Sequence, residues 1–289
     1  MDAAPQSVSD HRQTVSITSA AELVRDTPPP DTIIAVSQDD EGLFALEQSP
    51  GEFDPAPITV APGQAPTPPP HKARSVASAP VRFKIRLANT EGRRSSASYL
   101  IHKMYGWRGY AATGPSAAPN RVTLVASDAE KALATITVGF DAPGGLLVDD
   151  LYKAEIDTLR LSGGRICEFT KLAVDRNEQS KEVLAMMFHI AYMYARRLYQ
   201  CTDLLIEVNP RHVRFYDRML GFQVLGPERM CGRVGAPAVL LWLRLQHADL
   251  QIARYGGHKE LAGAVRSLYP FFFSPEEEMG IVQRLKAIG

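Results

Sequence analysis

Between Arg165 and Leu220 the chain reads as strand, long helix, strand and short helix, a succession that leaves few topologies open. Arg165–Val174 and Leu204–Val208 are short, mostly apolar runs of the kind buried in a sheet. Between them Val183, Leu184, Met187, Phe188, Ala191, Tyr194, Ala195 and Leu198 recur at three- and four-residue steps. That stripe predicts a helix over about Gln179–Tyr199 with one face packed on a sheet. A helix joining two strands of one sheet makes those strands a parallel pair.

The elements around this unit complete a mixed α/β domain. Polar and apolar residues alternate from Val81 to Leu87, which predicts a strand buried on one face. A helix over about Arg94–Tyr105 follows, then strands at Arg121–Ser127 and Leu133–Phe140. Pro143-Gly144-Gly145 leads into a helix near Asp149–Leu161, which Gly163-Gly164 ends. After the parallel pair come a short helix at Arg211–Leu220 and antiparallel strands near Phe222–Leu225 and Ala238–Leu245. Ser274-Pro275-Glu276-Glu277 has an N-cap serine, a proline at the first helical position and an acid three residues after the cap, so a last helix runs from there to about Ile288. The expected organisation is one α/β domain over residues 80–246 with a C-terminal helical extension over 247–289 packed on it.

Residues 1–79 contrast with the rest. They hold 12 of the 21 prolines and few aromatics, too little apolar surface to offset ordering entropy, so the expectation is a disordered acidic linker. Asp31–Leu46 contains β-like pieces such as Thr32–Val36. These residues carry 11 acids and 4 bases, a net charge of −7, which leaves 21 acids, 28 bases and +7 for the folded part. A basic domain suits an acidic partner or an anionic ligand, but with no nucleic-acid motif a nucleic-acid partner is not expected. Cys167, Cys201 and Cys231 have no paired spacing and the seven histidines no ligand spacing, so neither a disulfide framework nor a metal site is expected. No apolar run approaches the roughly 18 residues of a membrane span and no signal segment opens the chain, so a cytoplasmic location is expected, with peripheral membrane contact compatible with it.

The order of elements, closing in Asn209-Pro210, a helix with Phe215-Tyr216 and Gly221-Phe222, resembles the GNAT superfamily of N-acetyltransferases. Lys84–Ala88, the run Cys167-Glu168-Phe169-Thr170-Lys171-Leu172-Ala173-Val174, Ile206–His212 and Ala236–Leu241 carry a narrower resemblance. These are similar to the long-chain N-acyl amino acid synthases, relatives of the acyl-homoserine-lactone synthases. The resemblance covers roughly Phe83–Leu245 and implies a twisted mixed sheet whose central parallel strands splay apart. It implies transfer of a fatty acyl group from the phosphopantetheine thioester of an acyl carrier protein, or from acyl-coenzyme A, to the amine of an amino acid, with no bound cofactor. Coenzyme A users of the superfamily have a glycine-rich pyrophosphate loop after the fourth strand; Val174–Lys181 contains no glycine, although Arg176 and Lys181 can receive one phosphate. A pantetheine arm presents a single phosphodiester, which favours the carrier protein as donor.

The same resemblance gives the residues roles. Glu168, on the strand that faces the splay, is the first candidate for the base that deprotonates the amine, with Glu207 second; a structural ion pair is the competing role for such a glutamate. Tyr216 matches the superfamily's tyrosine beside the thioester sulfur and is the candidate acid; aromatic packing is the alternative. Lys171 stands where lactone synthases have arginine, which weakens a bidentate carboxylate clamp. Lys171, Arg211 and Arg214 are candidates for the substrate carboxylate, the pantetheine phosphate or the carrier surface. Ala173, Val174, Asn209 and Phe215 are expected along the thioester, and Trp107 with Arg108 at the acyl mouth. His212 is a cap or surface residue before it is a base, Cys167 lacks a positioned histidine, and Tyr269–Phe273 either lines the acyl tunnel or pins the last helix. The rival readings are an acetyl-coenzyme A N-acetyltransferase, a lactone synthase, or a non-catalytic acyl-carrier or lipid-binding module on the same fold.

Overall fold

The structure, a computed structural model, describes residues 34–36, 83–115, 118–128, 131–175 and 181–288. Its strands are β1 (Ile34–Val36), β2 (Phe83–Leu87), β3 (Arg121–Asp128), β4 (Lys131–Phe140), β5 (Ile166–Val174), β6 (Asp203–Val208), β7 (Gln223–Cys231) and β8 (Ala236–Arg244). They form one sheet in the order β1-β2-β3-β4-β5-β6-β8-β7. β5 and β6 are parallel, as the strand-helix-strand run requires, and every other pair is antiparallel. The helices are α1 (Glu91–Trp107), α2 (Asp149–Leu161), α3 (Lys181–Tyr192), α4 (Val213–Leu220), α5 (Leu245–Tyr255), α6 (Ala262–Val265) and α7 (Pro275–Ile288).

Side-chain alternation sorts the helices onto two faces. Ile166, Leu205 and Leu240 meet Tyr152 and Ile156 of α2, and Ala173 meets Leu100, Ile101 and Met104 of α1. Cys167, Phe169, Leu204 and Ile206 point to the other face, into a large core with α3 and the C-terminal helices. The extension is part of that core: Leu245, Ala248, Ile252, Tyr269, Phe272, Ile281 and Leu285 are all buried in it. Buried His189 of α3 pins it further. Its Nδ1 accepts from the Phe273 N–H at 3.0 Å, so Nε2 carries the proton and donates to Glu278 Oε2 at 3.0 Å.

Several boundaries move for local reasons. α1 starts three residues earlier than expected because Thr90 caps it, accepting from the Arg93 N–H at 3.4 Å. The long helix stops as an α-helix at Tyr192 and continues over Met193–Leu198 as a π-helical turn. β7 runs on through Pro227 to Cys231, because an edge strand does not need the missing proline N–H. α7 is capped as read: Ser274 N–H donates to Glu277 Oε2 at 2.8 Å and Glu277 N–H to Ser274 Oγ at 3.2 Å. The expected disorder of residues 1–79 lies outside the described residues except at Ile34–Val36, which departs from it by pairing with β2.

Candidate active site

β5 and β6 pair only from Ile166↔Asp203 to Phe169↔Ile206, and then separate. The cause is a bulge in β5. Thr137 faces Thr170 on β4 and Thr135 faces Ala173, so Lys171 and Leu172 together stand against Ile136. Lys171 takes the left-handed conformation at φ 52, costly for a lysine by about 1–2 kcal/mol, and the Thr135 hydroxyl pins it by donating to Lys171 O at 2.9 Å. Past Phe169, the edge of β5 that faces β6 has no strand partner among the described residues, so its backbone groups border an opening.

The α1/α2 side of this opening is polar. Glu168 is fully buried and its carboxylate is occupied: Arg121 Nη1 donates at 2.7 Å and Leu147 N–H at 3.0 Å to Oε1, and Val148 N–H donates at 3.1 Å to Oε2. The Leu147–Val148 turn at the start of α2 presents those two N–H groups, and Gly139 makes room for the pair, since a Cβ there would come within 2.9 Å of Glu168 and 3.0 Å of Arg121 Nη1. One register step further on the same face, Thr170 and Glu207 would be opposite each other had the ladder continued. Thr170 Oγ1 and Glu207 Oε1 are both buried, and neither has a hydrogen-bond partner among the described residues. The other Glu207 oxygen is held by Arg233, which also donates to Leu147 O at 2.7 Å and Asp150 Oδ2 at 2.6 Å. Burial pushes the Glu207 carboxyl above its ordinary value, while Arg233 and the nearby Cys231 thiol pull it back.

The α3 side is apolar and aromatic, with the Tyr216 phenol among its rings. Gly221, at φ 81, ends α4 and turns the chain so that Phe222 re-enters the core beside Tyr216, ring centroids 5.8 Å apart. Tyr216 also meets Phe188 and Phe215 edge-on at 6.2 and 5.3 Å. Its hydroxyl has no hydrogen-bond partner among the described residues, and burial raises its pKa, so it keeps its proton at neutral pH.

The segment after α1 spans the outer end of the opening. Lys171 Nζ donates to Gly114 O on one bank, while on the other Arg211 Nη2 donates to the Tyr110 hydroxyl at 3.3 Å and Ala111 N–H to Val234 O at 3.4 Å. Burial, with Arg121 nearby, lowers the Lys171 pKa. Trp107 is half exposed here under the Arg108 guanidinium, 5.3 Å from its ring centre.

The other sequence candidates divide. Phe215 is half-buried beside Tyr216, while Arg211 and Arg214 are exposed on and before α4. The Ala173 side chain packs under α1 and Val174 turns into the α3-side core, so only their backbones border the opening. Asn209 acts on the backbone: it caps the Pro210–His212 turn and ties it to β8 through Pro237 O at 3.3 Å. His212 Nε2 accepts from Arg211 Nε at 3.2 Å, and burial with Arg211 and Arg108 beside it pushes its pKa down to about 4. Cys167 is buried with its thiol raised well above the usual range by that burial. Lys181 begins α3, whereas Arg176 lies outside the described residues. Sequence reasoning missed Arg121, Thr170 and Arg233: nothing in the string marks a threonine whose partner strand departs, or arginines that arrive from β3 and the β7–β8 turn. Among the described residues no group of three or more potential metal ligands occurs, and no helix is long and apolar enough to cross a membrane.

Comparison with known proteins adds three findings. The family model described as FeeM, N-acyl amino acid synthase, matches residues 96–244. The solved structure of FeeM, an N-acyl amino acid synthase from uncultured soil microbes, is similar with a TM-score of 0.53 at 26% identity, over 57% of this chain and 93% of that one. An N-acetyltransferase from Staphylococcus aureus Mu50 is similar at TM-score 0.40 and 14% identity over 57% and 98% of the two chains, and the AHL synthase LasI at 0.41 and 10% over 56% and 90%. No curated protein sequence matches the chain.

Proposed function

The chain belongs to the FeeM family of N-acyl amino acid synthases and is an N-acyltransferase of GNAT-like fold, and from that premise we propose how it works. A long-chain acyl group, carried as the phosphopantetheine thioester of an acyl carrier protein, passes to the α-amine of an amino acid. Glu207 is the base and Tyr216 the acid. The observation that carries this reading is the pair of buried, unpartnered acceptors, Thr170 Oγ1 and Glu207 Oε1, where β5 leaves β6. Leaving such an acceptor unpaired costs about 1–3 kcal/mol, a cost removed when an amine supplies N–H donors.

The thioester lies in the opening, its carbonyl oxygen facing the unpaired edge of β5 beyond Phe169, where backbone N–H groups stabilise the oxyanion. Glu207 accepts a proton as the amine nitrogen bonds to the thioester carbon. The C–S bond then breaks, and the Tyr216 hydroxyl protonates the departing sulfur. The products are the amide and the free pantetheine thiol, with no covalent enzyme intermediate. Glu207 takes precedence over Glu168 because its raised pKa and spare oxygen suit a base, whereas Glu168 is committed to Arg121 and two backbone donors. Glu168 is a positioning residue that fixes the Leu147–Val148 turn, which in turn holds Arg233 against Glu207. Lys171, close to the Arg121–Glu168 pair, is the candidate for the amino acid carboxylate.

The carrier protein is supported by charge and by sequence. Arg211, in the turn before α4, and Arg214 and Arg218 on it are exposed, a surface for an acidic partner, and Val174–Lys181 lacks the glycines of a pyrophosphate loop. The test is incubation with a series of acyl carrier thioesters and acyl-coenzyme A, each with mixed amino acids, read by product mass. N-acyl amino acids formed faster from the carrier bear out the reading. Lactones, acetylated amines, or faster turnover of coenzyme A thioesters would replace it with the corresponding rival.

A further inference from the structure

We propose that the C-terminal segment closes the far end of the acyl pocket and, through Ala248, Tyr269 and Phe272, limits the length of acyl chain the enzyme accepts. The inference rests on the acyltransferase reading and concerns residues 245–288, which lie beyond the family-matched range of 96–244. On the α3 face, inward of the point where β5 and β6 part, a void is lined only by apolar and aromatic side chains. Phe169 and Leu204 supply its wall at the parallel pair, Phe188 its wall on α3, and Ala248, Tyr269 and Phe272 the side away from the sheet.

The void measures about 20 Å³, room for about one water molecule and far less than an acyl tail needs. An acyl tail that enters from the opening must therefore displace side chains on this path. The sheet residues are held in a ladder, whereas Tyr269 and Phe272 stand on a three-residue turn and the loop after it. That turn is itself anchored: Tyr269 donates from its hydroxyl to Leu220 O at 2.8 Å, and Phe272 stacks on His189 with ring centroids 4.6 Å apart. Where those anchors stop the side chains from yielding, the pocket ends. Each methylene buried there contributes about 0.8 kcal/mol, so two methylenes shut out cost about tenfold in specificity.

The experiment uses the full chain and saturated acyl thioesters of graded length from C8 to C18, and reads the ratio of kcat/KM for long over short donors. In parallel, calorimetry titrates free saturated fatty acids of the same lengths. Ala248→Phe, which narrows the pocket from α5, shifts both profiles toward shorter chains, with a loss of at least tenfold in the long-to-short ratio. Phe272→Ala shifts both toward longer chains. Met279→Ala, on the exposed face of α7, keeps the wild-type ratio. Unchanged profiles in Ala248→Phe, with the fold intact by circular dichroism, overturn the proposal even if Phe272→Ala unfolds. Absence of turnover with every thioester overturns the acyltransferase reading, and the fatty acid profiles still decide the pocket: a length cutoff that moves with Ala248→Phe upholds it, and no fatty acid binding overturns it.

Discussion

The two faces of the sheet differ most where the central strands part. On the α1/α2 side stand Glu168, Thr170, Glu207, Arg121 and Arg233, two of their oxygens without a partner among the described residues. On the α3 side stand Phe169, Leu204, Phe188 and Phe222, with the Tyr216 hydroxyl the polar atom among them. An amino acid and a fatty acyl chain have the same contrast. In the proposed reaction the two substrates, of opposite polarity, take opposite faces of the opening, and their reacting atoms meet where the β5 and β6 backbones separate.

The contrast can be broken one residue at a time. Glu207→Gln keeps the side chain's shape and removes the base, and kcat should fall by two to four orders of magnitude. Its melting temperature should hold, because Arg233 keeps Asp150 and Leu147 O as partners. Glu168→Gln should behave in the opposite sense. It leaves the largely buried Arg121 guanidinium without its counter-charge, so denaturant titration should show about 3 kcal/mol less stability. Loss of kcat/KM in that variant without loss of stability would return Glu168 to the base role. Tyr216→Phe, a change of one atom on the apolar side, should slow acyl transfer by about tenfold with the amine KM little changed. A donor with a more acidic thiol leaving group should recover part of that rate.

The pH dependence sharpens the same division. Glu207 must be deprotonated to act, and burial raises its pKa, so kcat/KM should fall on the acid side with a midpoint above the ordinary carboxylate range. Arg233→Ala removes the charge that pulls this pKa back and should move the midpoint further up. A group whose folded pKa is raised binds protons more tightly when folded, so Glu207 costs stability as pH rises through that window, and Glu207→Gln should flatten the curve. The smallest effect belongs to the surface: Arg214→Glu with Arg218→Glu should raise KM for a carrier-bound donor several-fold at low salt, and less at high salt.

Much of this was legible in the sequence, and the misses have a common cause. The α3 stripe and the two apolar runs beside it announced the parallel pair, and Asn209-Pro210 through Gly221-Phe222 announced the α4 turn that carries Tyr216. Period and turn chemistry are local, so they can be read from a string. The bulge at Lys171 is not local in that sense: no glycine marks it, and it is held by Thr135 of another strand. Without it, alternation alone puts Glu168 and Thr170 on one face but does not say which residue of β6 faces a gap. The proposal of Glu207 ahead of Glu168 rests on partners at Arg121, Leu147 and Arg233, which lie 47, 21 and 26 positions away from the glutamates they contact. Such contacts are set by topology and leave no spacing to find.

The most direct measurement is a crystal structure with a long-chain N-acyl amino acid bound. The account predicts an amide between β5 and β6, its nitrogen within hydrogen-bond reach of Glu207 and Thr170, the tail on the α3 face ending against Phe272 and Tyr269, and the carboxylate on the α1/α2 face. A product with head and tail on one face, or one lying outside the gap between the two strands, would contradict it.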